Sequence, residues 1–400
     1  HGVTSRNLNA QNSMLSPFKA VRPTRDKAYL VATRSYLNYF PEELKDKLDS
    51  NPFTFLHVIN PDVYASESAE NRFEAVRKRF DAFTEEGVFI KETEPVYFLY
   101  QQITPSSTFE GVIGLLDTSH IDAGKVVVHE NTIQQREELF ANYLECTGFQ
   151  AEPILVFGEA SERRGEIFAE IKMERPEYEF SSTDRYEHRV WVIPSLLAAE
   201  LEREFKELED VYIADGHHRL ASTKKVSERL PSNIDAQGVL CMLMGEDQVK
   251  IDSFERWFRL ENAHFDLNCL EDDFDITPLS NWNLAPKYHI EMYAEGSWYG
   301  LTYRSGEVPE LKPQLLLDKI LKPHLSVLDP RNDQRLEYIR QGETDESQLM
   351  TEKGFHLGFR LPSVSVELLI KIGKNGGIMP PKSTYIEPKL RSGLLLHVFK

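Results

Sequence analysis

The chain has 400 residues, 41% of them hydrophobic, which is enough for a large core in two or three domains or in one elaborated domain. Its 64 acidic residues outnumber the 46 basic ones, and the formal charge of −18 opposes binding to nucleic acid. No apolar run reaches the roughly 20 residues that span a bilayer, so no membrane association is expected.

The cysteine content and changes of composition along the chain limit the possible compartment and domain division. The three cysteines (Cys146, Cys241 and Cys269) are odd in number and unclustered, which fits a reducing cytoplasm and argues against a zinc–thiolate site. We interpret residues 1–13 as a leader outside the fold. Residues 14–245 are predicted to form an α/β domain, and residues 246–400 a C-terminal lobe, because a segment rich in Phe and Trp begins after residue 249.

In chain order, the first half alternates strand-like and helix-like segments. Lys19 and Arg22 lie in a proline-fenced, extended stretch that is by itself typical of surface charge. Residues 51–59 are predicted as a strand carrying His57, which is more typical of a core histidine than of a ligand. A helix is predicted over residues 69–86, followed by strands at 95–101 and 111–116.

The segment Lys125–Thr132 is the first candidate site. A β-branched run ends in His129 and Glu130, and a polar, helix-like segment follows from Gln134. Open α/β sheets place ligands at the ends of strands, so these two side chains are candidate metal ligands or an acid–base pair. Thr132 is equally well explained as a helix cap.

The next segments lead towards the second candidate site. Residues 153–157 are predicted as a buried strand, and residues 186–193 as a strand with His188 on one face and Arg189 on the other. Residues 194–209 form an amphipathic helix that begins with proline.

The stretch Val211–Ser222 carries the densest signal. A buried strand ends at Asp215, Gly216 breaks it, and a helix follows, so that two imidazoles and a guanidinium open that helix. A helix N-terminus suits an anion, and Arg219 adds a planar fork for phosphate or carboxylate oxygens. The alternative is that Asp215 is a simple helix cap and the histidines are surface residues. The density of Asp-Gly-His-His-Arg between a strand and a helix favours a functional site instead.

The remaining elements end in a basic loop. Residues 238–245 are predicted as a central strand and residues 311–321 as an apolar helix. The segment 378–393 has no strand or helix period, and its prolines would pre-order an anion-binding loop that contains Lys382, Ser383, Thr384 and Lys389. Ordinary solvated charge near a chain end is the alternative.

Phosphoryl transfer requires cations around the moving group, a metal on the donor phosphates and a carboxylate near the acceptor hydroxyl, and these three places supply them. The chain has no P-loop, no Gly-x-Gly-x-x-Gly and no Gly-x-Ser-x-Gly.

Asp215-Gly-His-His-Arg219 after an apolar strand resembles the signature of free-serine kinases of the ParB/sulfiredoxin-like superfamily. From Met14 to about Phe399, the chain also resembles a bacterial family long known only as a domain of unknown function. Members of that family have been assigned as pyrophosphate-dependent L-serine kinases. The further matching stretches are Pro17–Pro23, Asn51–His57, His129–Thr132, His188–Trp191 and Met379-Pro-Pro-Lys-Ser-Thr-Tyr385.

The resemblance implies a mixed α/β sheet with a ParB/sulfiredoxin-like core, a C-terminal lobe closing the cleft, and phosphoryl transfer from pyrophosphate to free L-serine with Mg²⁺. It implies Asp215 for hydroxyl activation and His217, His218 and Arg219 for the donor phosphates. By our inference Lys382, Ser383, Thr384 and Lys389 assist, Glu130 and Asp215 are the candidate metal ligands, and His129 is an acid–base candidate. Lys19, Arg22, His57, His188 and Arg189 are candidate substrate contacts.

Several alternatives stay open. The donor is pyrophosphate, ADP or ATP, the acceptor is L-serine or a similar small alcohol, and a homo-oligomer is possible. Glu255 stands where the family leads us to expect a basic pair, which bears on the choice of acceptor. A metal-dependent phosphohydrolase using His129, Asp215, His217 and His218, and a non-catalytic protein that binds pyrophosphate or a nucleotide, are the competing functions.

Overall fold

The computed structural model describes residues 13–35, 39–59, 69–282, 287–342, 346–380 and 382–400. The leader interpreted from the sequence, apart from Ser13, lies outside these residues. The chain divides into two compact units: unit 1 extends to Val249 and also includes Pro388–Lys400, and unit 2 is Lys250–Glu387. The tail that the sequence-based division placed in the C-terminal lobe thus returns to unit 1. As limits of domains, the predicted boundaries remain predictions.

The strands, in chain order, are β1 Val21–Pro23, β2 Phe89–Lys91, β3 Phe98–Ile103, β4 Thr108–Asp117, β5 Val126–Val127, β6 Phe149–Gln150, β7 Ile154–Gly158, β8 Tyr178–Ser181, β9 Glu187–Val192, β10 Val211–Asp215, β11 Gly238–Gly245, β12 Lys250–Asp252, β13 Phe254–Phe258, β14 Phe274–Leu279, β15 Ile290–Ala294, β16 Ser297–Tyr303, β17 Leu336–Arg340, β18 Leu357–Arg360, β19 Tyr385–Glu387 and β20 His397–Val398.

The α-helices are α1 Ala28–Val31, α2 Pro41–Ser50, α3 Leu56–Ile59, α4 Ala69–Glu85, α5 Thr118–Asp122, α6 Gln134–Thr147, α7 Glu162–Ile171, α8 Ser195–Lys206, α9 His217–Arg229, α10 Lys312–Leu316, α11 Lys322–Leu325, α12 Glu346–Thr351 and α13 Val366–Lys374. A π-helical turn, Leu317–Leu321, joins α10 to α11. Among the described residues, no helix is long and apolar enough to cross a membrane.

Unit 1 is built on a mixed sheet of eight described strands in the order β5-β10-β7-β11-β4-β3-β9-β8. The pairs β10–β5 and β11–β7 are parallel, and the other neighbours are antiparallel. The central strands β7 and β11 are continuous apolar runs because both faces of the sheet are covered. The fold is therefore mixed α/β, as predicted.

The core of unit 1 packs helices against this sheet. Val156 of β7, Ile213 of β10 and Cys241 of β11 are buried in one cluster with Leu220 of α9 and Leu201 of α8. The predicted helix over residues 69–86 is confirmed as α4, which buries Val76, Phe80 and Phe83 in a second cluster. These two clusters fix the strand ends and helix starts that form the candidate site.

Residues 51–59, predicted as a strand, form a turn followed by helix α3, so that prediction is wrong. The side chain of Asn51 accepts the amide of Phe53 at 3.0 Å and donates to the carbonyl of Leu30 at 2.8 Å. Such local side-chain hydrogen bonds offer the backbone an alternative to a strand ladder, and here they override the alternation of apolar residues.

Unit 2 contains an antiparallel sheet of six described strands in the order β14-β16-β15-β18-β13-β17. The segment predicted to lack strand period includes β19, which pairs with β12, so that part of the prediction is wrong. Glu255 is buried in unit 2, where it accepts hydrogen bonds from Nε1 of Trp257 at 2.9 Å and from Arg360 at 2.8 Å. Its carboxylate thus serves packing within this unit.

Candidate functional site

The site forms where two parallel strands end side by side. In the β5–β10 pair, Val126 lies opposite Val211 and Val127 opposite Tyr212. Both strands therefore deliver their carboxyl ends to the same edge, where His129 and Glu130 follow β5 and Asp215 ends β10. The amide of His129 donates a long hydrogen bond of 3.4 Å to Nε2 of His217. The two motifs picked out in the sequence thus meet in space.

Gly216 makes the turn from β10 into α9. Its φ of +99° lies in the left-handed region, and a Cβ there would lie 2.7 Å from Cγ2 of Ile154. The first amide bonded within the helix is that of Leu220, which donates to the carbonyl of Gly216, so the amides of His217, His218 and Arg219 have no intrahelical partner. No side chain caps this helix, so the interpretation of Asp215 as its cap is wrong.

Asp215 faces a cation that arrives from the end of the chain. Its Oδ2 lies 3.5 Å from Nζ of Lys389, and the side chains of both residues are about one-third exposed, at 36% and 35%. Burial by itself would raise the pKa of the Asp215 carboxyl, but the charges of Lys389 and Arg219 outweigh it and hold that pKa below its usual value. Asp215 is therefore ionised at neutral pH.

Arg219 connects the helix start to the strand beside it. Its Nη1 lies 3.2 Å from Oε1 of Glu152, and its Nη2 donates to the carbonyl of Pro153 at 3.3 Å. Ser392 donates to Oε2 of the same Glu152 at 3.2 Å. Nε of Arg219 is buried and has no hydrogen-bond partner among the described residues, so the guanidinium keeps an unused donor.

His129, Glu130 and His217 form a compact group of possible metal ligands, with one donor atom of each within 4.8 Å of the others. The ring of His217 meets that of His129 edge to face, with centroids 4.5 Å apart. Burial lowers the pKa of His129 to about 4. Burial, helped by the neighbouring His129, lowers the pKa of His217 to about 3. Both imidazoles are therefore neutral at physiological pH.

His218 holds the loop that precedes α6. Its Nε2 accepts the amide of Ile133 at 3.3 Å, and its ring meets that of Phe140 edge to face. The Thr132 hydroxyl donates to the carboxylate of Glu137, within the first turn of α6. Burial and the charge of Arg136 lower the pKa of His218. The loop and α9 are thus tied together by neutral hydrogen bonds.

A cavity of about 570 Å³ in unit 1 collects these groups. Its polar lining residues include Glu130, Arg136, Glu152, Asp215, His217, His218, Arg219, Ser222, Thr223 and Ser392. Its largely apolar lining residues include Phe55, Phe73, Val76, Phe140 and Tyr143. The volume lies within the range of ordinary small-molecule sites.

The predicted substrate contacts have other structural roles in unit 1. Arg22 is buried and pairs with Glu92 at 2.6 Å and Glu177 at 3.2 Å. His188 is buried between the hydroxyls of Tyr100 and Ser182, at 2.7 and 2.8 Å. Neither residue lines the cavity.

The other three predicted contacts are also absent from the cavity lining. Nε2 of His57 bonds to the carbonyl of Asn51 at 2.9 Å. Arg189 pairs with Glu187 near the surface at 3.3 Å, and Lys19 is exposed beside a different pocket. Their roles as substrate contacts stay predictions.

Lys389 and the predicted loop residues before it belong to different units. Lys389 is in unit 1, whereas Lys382, Ser383 and Thr384 are in unit 2. There, Nζ of Lys382 lies 5.4 Å from the ring centroid of Phe254, and Ser383 donates to the carbonyl of Pro380 at 2.6 Å. A phosphate-binding role for these three residues stays a prediction.

The sequence analysis missed Glu152, Ser392 and Gln102. Gln102 is fully buried, and its amide donates to the backbone carbonyl of Lys389 at 3.0 Å, which fixes the residue that faces Asp215. The sequence could have indicated Glu152, because a carboxylate shortly before a buried strand lies where the strand ends, and ligands bind at such ends. Ser392 and Gln102 stand in segments without such a signal.

One distant likeness links the chain to a mutant "Free serine kinase" in complex with ADP (TM-score 0.37, 14% identity, 71% of this chain and 92% of that one). A second is "SbnI with C-terminal truncation from Staphylococcus aureus" (TM-score 0.39, 16% identity, 69% of this chain and 82% of that one). A third is a "Conserved hypothetical protein from Pyrococcus furiosus" (TM-score 0.33, 16% identity, 71% of this chain and 95% of that one). At these TM-scores the likenesses carry no inference for this chain.

No protein of curated function matches the chain. The model of one family, described as "Protein of unknown function (DUF1015)", matches residues 15–344, which is most of the sequence. The chain therefore belongs to the DUF1015 family.

Proposed function

We propose that this protein is a phosphotransferase that moves a phosphoryl group from pyrophosphate to the hydroxyl of free L-serine, giving O-phosphoserine and phosphate. The observation that carries the proposal is the pairing of Asp215 with Lys389, 3.5 Å apart, at the uncapped start of helix α9. A carboxylate kept ionised beside cations and free amides is what a phosphoryl-transfer site needs.

The reaction balances without any oxidant or further reactant. The serine oxygen forms a bond to one phosphorus of pyrophosphate, the bridging P–O bond breaks, and its electron pair leaves with phosphate. The hydroxyl proton passes to Asp215 or to the departing phosphate. Because the pKa of Asp215 is low, its carboxylate would orient the hydroxyl early and accept the proton late, as suits a loose transition state.

The donor phosphates would lie at the start of α9. The amides of His217, His218 and Arg219 lack intrahelical partners, and a helix N-terminus attracts anions. Nε of Arg219 adds an unused donor, and Lys389 adds an ammonium beside Asp215. Since both imidazoles of the motif have lowered pKa values, they would contribute hydrogen bonds and loop anchoring rather than charge.

Mg²⁺ is part of this proposal. In phosphoryl transfer this ion is usually held by donor phosphates, waters and one or two carboxylates, and it neutralises charge on the donor. Glu130 and Asp215 both line the cavity, so the residues present fit such an ion.

Phosphorus NMR of the purified chain with Mg²⁺ and pyrophosphate, with and without L-serine, tests the proposal. We expect O-phosphoserine and phosphate to appear only when serine is present. Parallel tubes with ADP and ATP decide the donor, and other small alcohols decide the acceptor. Failure with every donor and alcohol would contradict the enzyme and leave a protein that only binds pyrophosphate or a nucleotide.

A metal-dependent phosphohydrolase is the second candidate, and the group His129, Glu130 and His217 favours it. Two imidazoles and a carboxylate are a common ligand set of hydrolytic metal sites. The same experiment separates the two functions, since a hydrolase releases phosphate at equal rates with and without serine. The cytoplasmic location and any homo-oligomer stay predictions.

A further inference from the structure

We propose that His129, Glu130 and His217 bind a divalent transition-metal ion of the Zn²⁺ type. Nε2 of His129 lies 3.8 Å from Oε1 of Glu130, and Nδ1 of His217 lies 3.7 Å from Oε2 of the same carboxylate. This goes beyond the proposed function, because such binding requires neither pyrophosphate nor serine.

Two of the donor-atom separations are close to those of a tetrahedral metal site. Zinc bonds of about 2.0–2.2 Å in a tetrahedron place neighbouring donor atoms roughly 3.3–3.6 Å apart. The two histidine–carboxylate separations exceed this by a few tenths of an ångström, each to a different oxygen of Glu130, and the donor atoms of all three residues lie within 4.8 Å of one another. Glu130 can provide most of the adjustment, because its side chain is 40% exposed, whereas those of His129 and His217 are 2% and 5% exposed.

His129 supplies a second, independent observation. The residue is buried, and neither Nδ1 nor Nε2 of its ring has a hydrogen-bond partner among the described residues. A buried imidazole has one donor and one acceptor to satisfy, and leaving both unsatisfied costs free energy. An ion bound to Nε2 beside Glu130 would remove part of that cost.

His217 must give up one contact to join the site. Its Nε2 now accepts the long 3.4 Å hydrogen bond from the amide of His129. A metal on Nδ1 requires the ring proton on Nε2, so binding either breaks this bond or turns the ring to present Nε2 to the ion. The bond is near the limit of hydrogen-bond length, so little is lost.

The donor set selects the kind of ion. Two imidazole nitrogens and one carboxylate suit Zn²⁺ or Co²⁺, whereas Mg²⁺ prefers oxygen ligands throughout. Three protein ligands leave a coordination position open, as in catalytic zinc sites. Glu130 and His217 both line the cavity, so that position is available to an anionic ligand there.

Co²⁺ titration of the chelator-stripped full chain, without pyrophosphate or serine, tests the site. We expect one ion per chain, visible d–d bands, displacement by Zn²⁺ and resistance to excess Mg²⁺. Absence of saturable binding would overturn the proposal, and so would near-ultraviolet charge-transfer bands from thiolate. Neither outcome bears on phosphoryl transfer, which the NMR experiment measures separately.

Substitutions locate the ligands. Glu130→Gln and His129→Gln should each weaken Co²⁺ binding at least about tenfold. His264→Gln is the matched control, because His264 forms an exposed histidine–carboxylate pair with Glu295 in unit 2. The Co²⁺ affinity of this variant should equal that of the wild type. If His129→Gln fails to fold, Glu130→Gln decides, since that side chain is partly exposed. Unchanged affinity in Glu130→Gln would overturn the assignment.

Discussion

Replacing Lys389 by Met should move the acidic limb of the pH–rate profile to higher pH. The ammonium lies 3.5 Å from Oδ2 of Asp215. Two unit charges at that distance attract by about 1.2 kcal/mol in a medium like water and by about 5 kcal/mol at an effective dielectric constant of 20. Both side chains are about one-third exposed, so we take a value near the lower end, roughly 1–2 kcal/mol.

That free energy corresponds to a shift of about one pH unit in the pKa of Asp215. The sign follows from burial, which raises the pKa of this carboxyl once the cation no longer opposes it. The assay is the initial rate of serine phosphorylation between pH 4 and 9 at saturating substrates. Because activity needs the ionised carboxylate, the rate in Lys389→Met should begin to fall at a higher pH than in the wild type.

Lys371→Met is the matched control. Lys371 forms an exposed ion pair with Glu310 in unit 2, at 2.8 Å, so its removal should leave the profile unchanged. If the acidic limb of Lys389→Met stays at the wild-type pH, Lys389 does not control the ionisation of Asp215 and the electrostatic reasoning fails. A lower rate at every pH, with the limb unmoved, would leave Lys389 only a role in binding.

Two further substitutions test the turn that shapes the site and the predicted substrate contact Arg22. Gly216→Ala should lower the free energy of unfolding by about 2–3 kcal/mol, because a Cβ would lie 2.7 Å from Ile154 at a φ of +99°. Gly124→Ala, with φ +73° and no atom within 4 Å, should cost about 1 kcal/mol, and an equal loss in both by urea denaturation would refute the steric reason. Arg22→Met should lower stability by about 2–4 kcal/mol, because Glu92 loses its buried partner and Glu177 keeps only Arg25, while KM for serine stays the same. A raised KM without loss of stability would support Arg22 as a substrate contact instead.

The sequence predicted the local features of the site well. A buried strand that ends in Asp-Gly and is followed by a helical period predicts a strand, a turn and a helix. The structure has these three elements as β10, Gly216 and α9. The β-branched run before His129 likewise predicted a strand, although β5 is only two residues long. These features depend on neighbouring residues, so a local pattern contains them.

What the sequence could not show is which distant residues meet. Lys389 reaches Asp215 only because the tail Pro388–Lys400 returns to unit 1, held by Gln102 and by the pairing of Thr33 with Ser392. No periodicity reports such a contact. Arg22 and His188 are residue types that often bind ligands, yet here they pair with partly buried carboxylates and with hydroxyls that only the tertiary structure brings near them.

The most direct test of the central claim, that Asp215 is the catalytic carboxylate, compares wild type with Asp215→Asn and Asp210→Asn by phosphorus NMR in Mg²⁺, pyrophosphate and L-serine. Asp210 precedes the same strand at its other end and is the matched control. We predict that Asp215→Asn forms O-phosphoserine about 10²–10⁴-fold more slowly, while Asp210→Asn matches the wild type. Equal rates in all three proteins would contradict the claim.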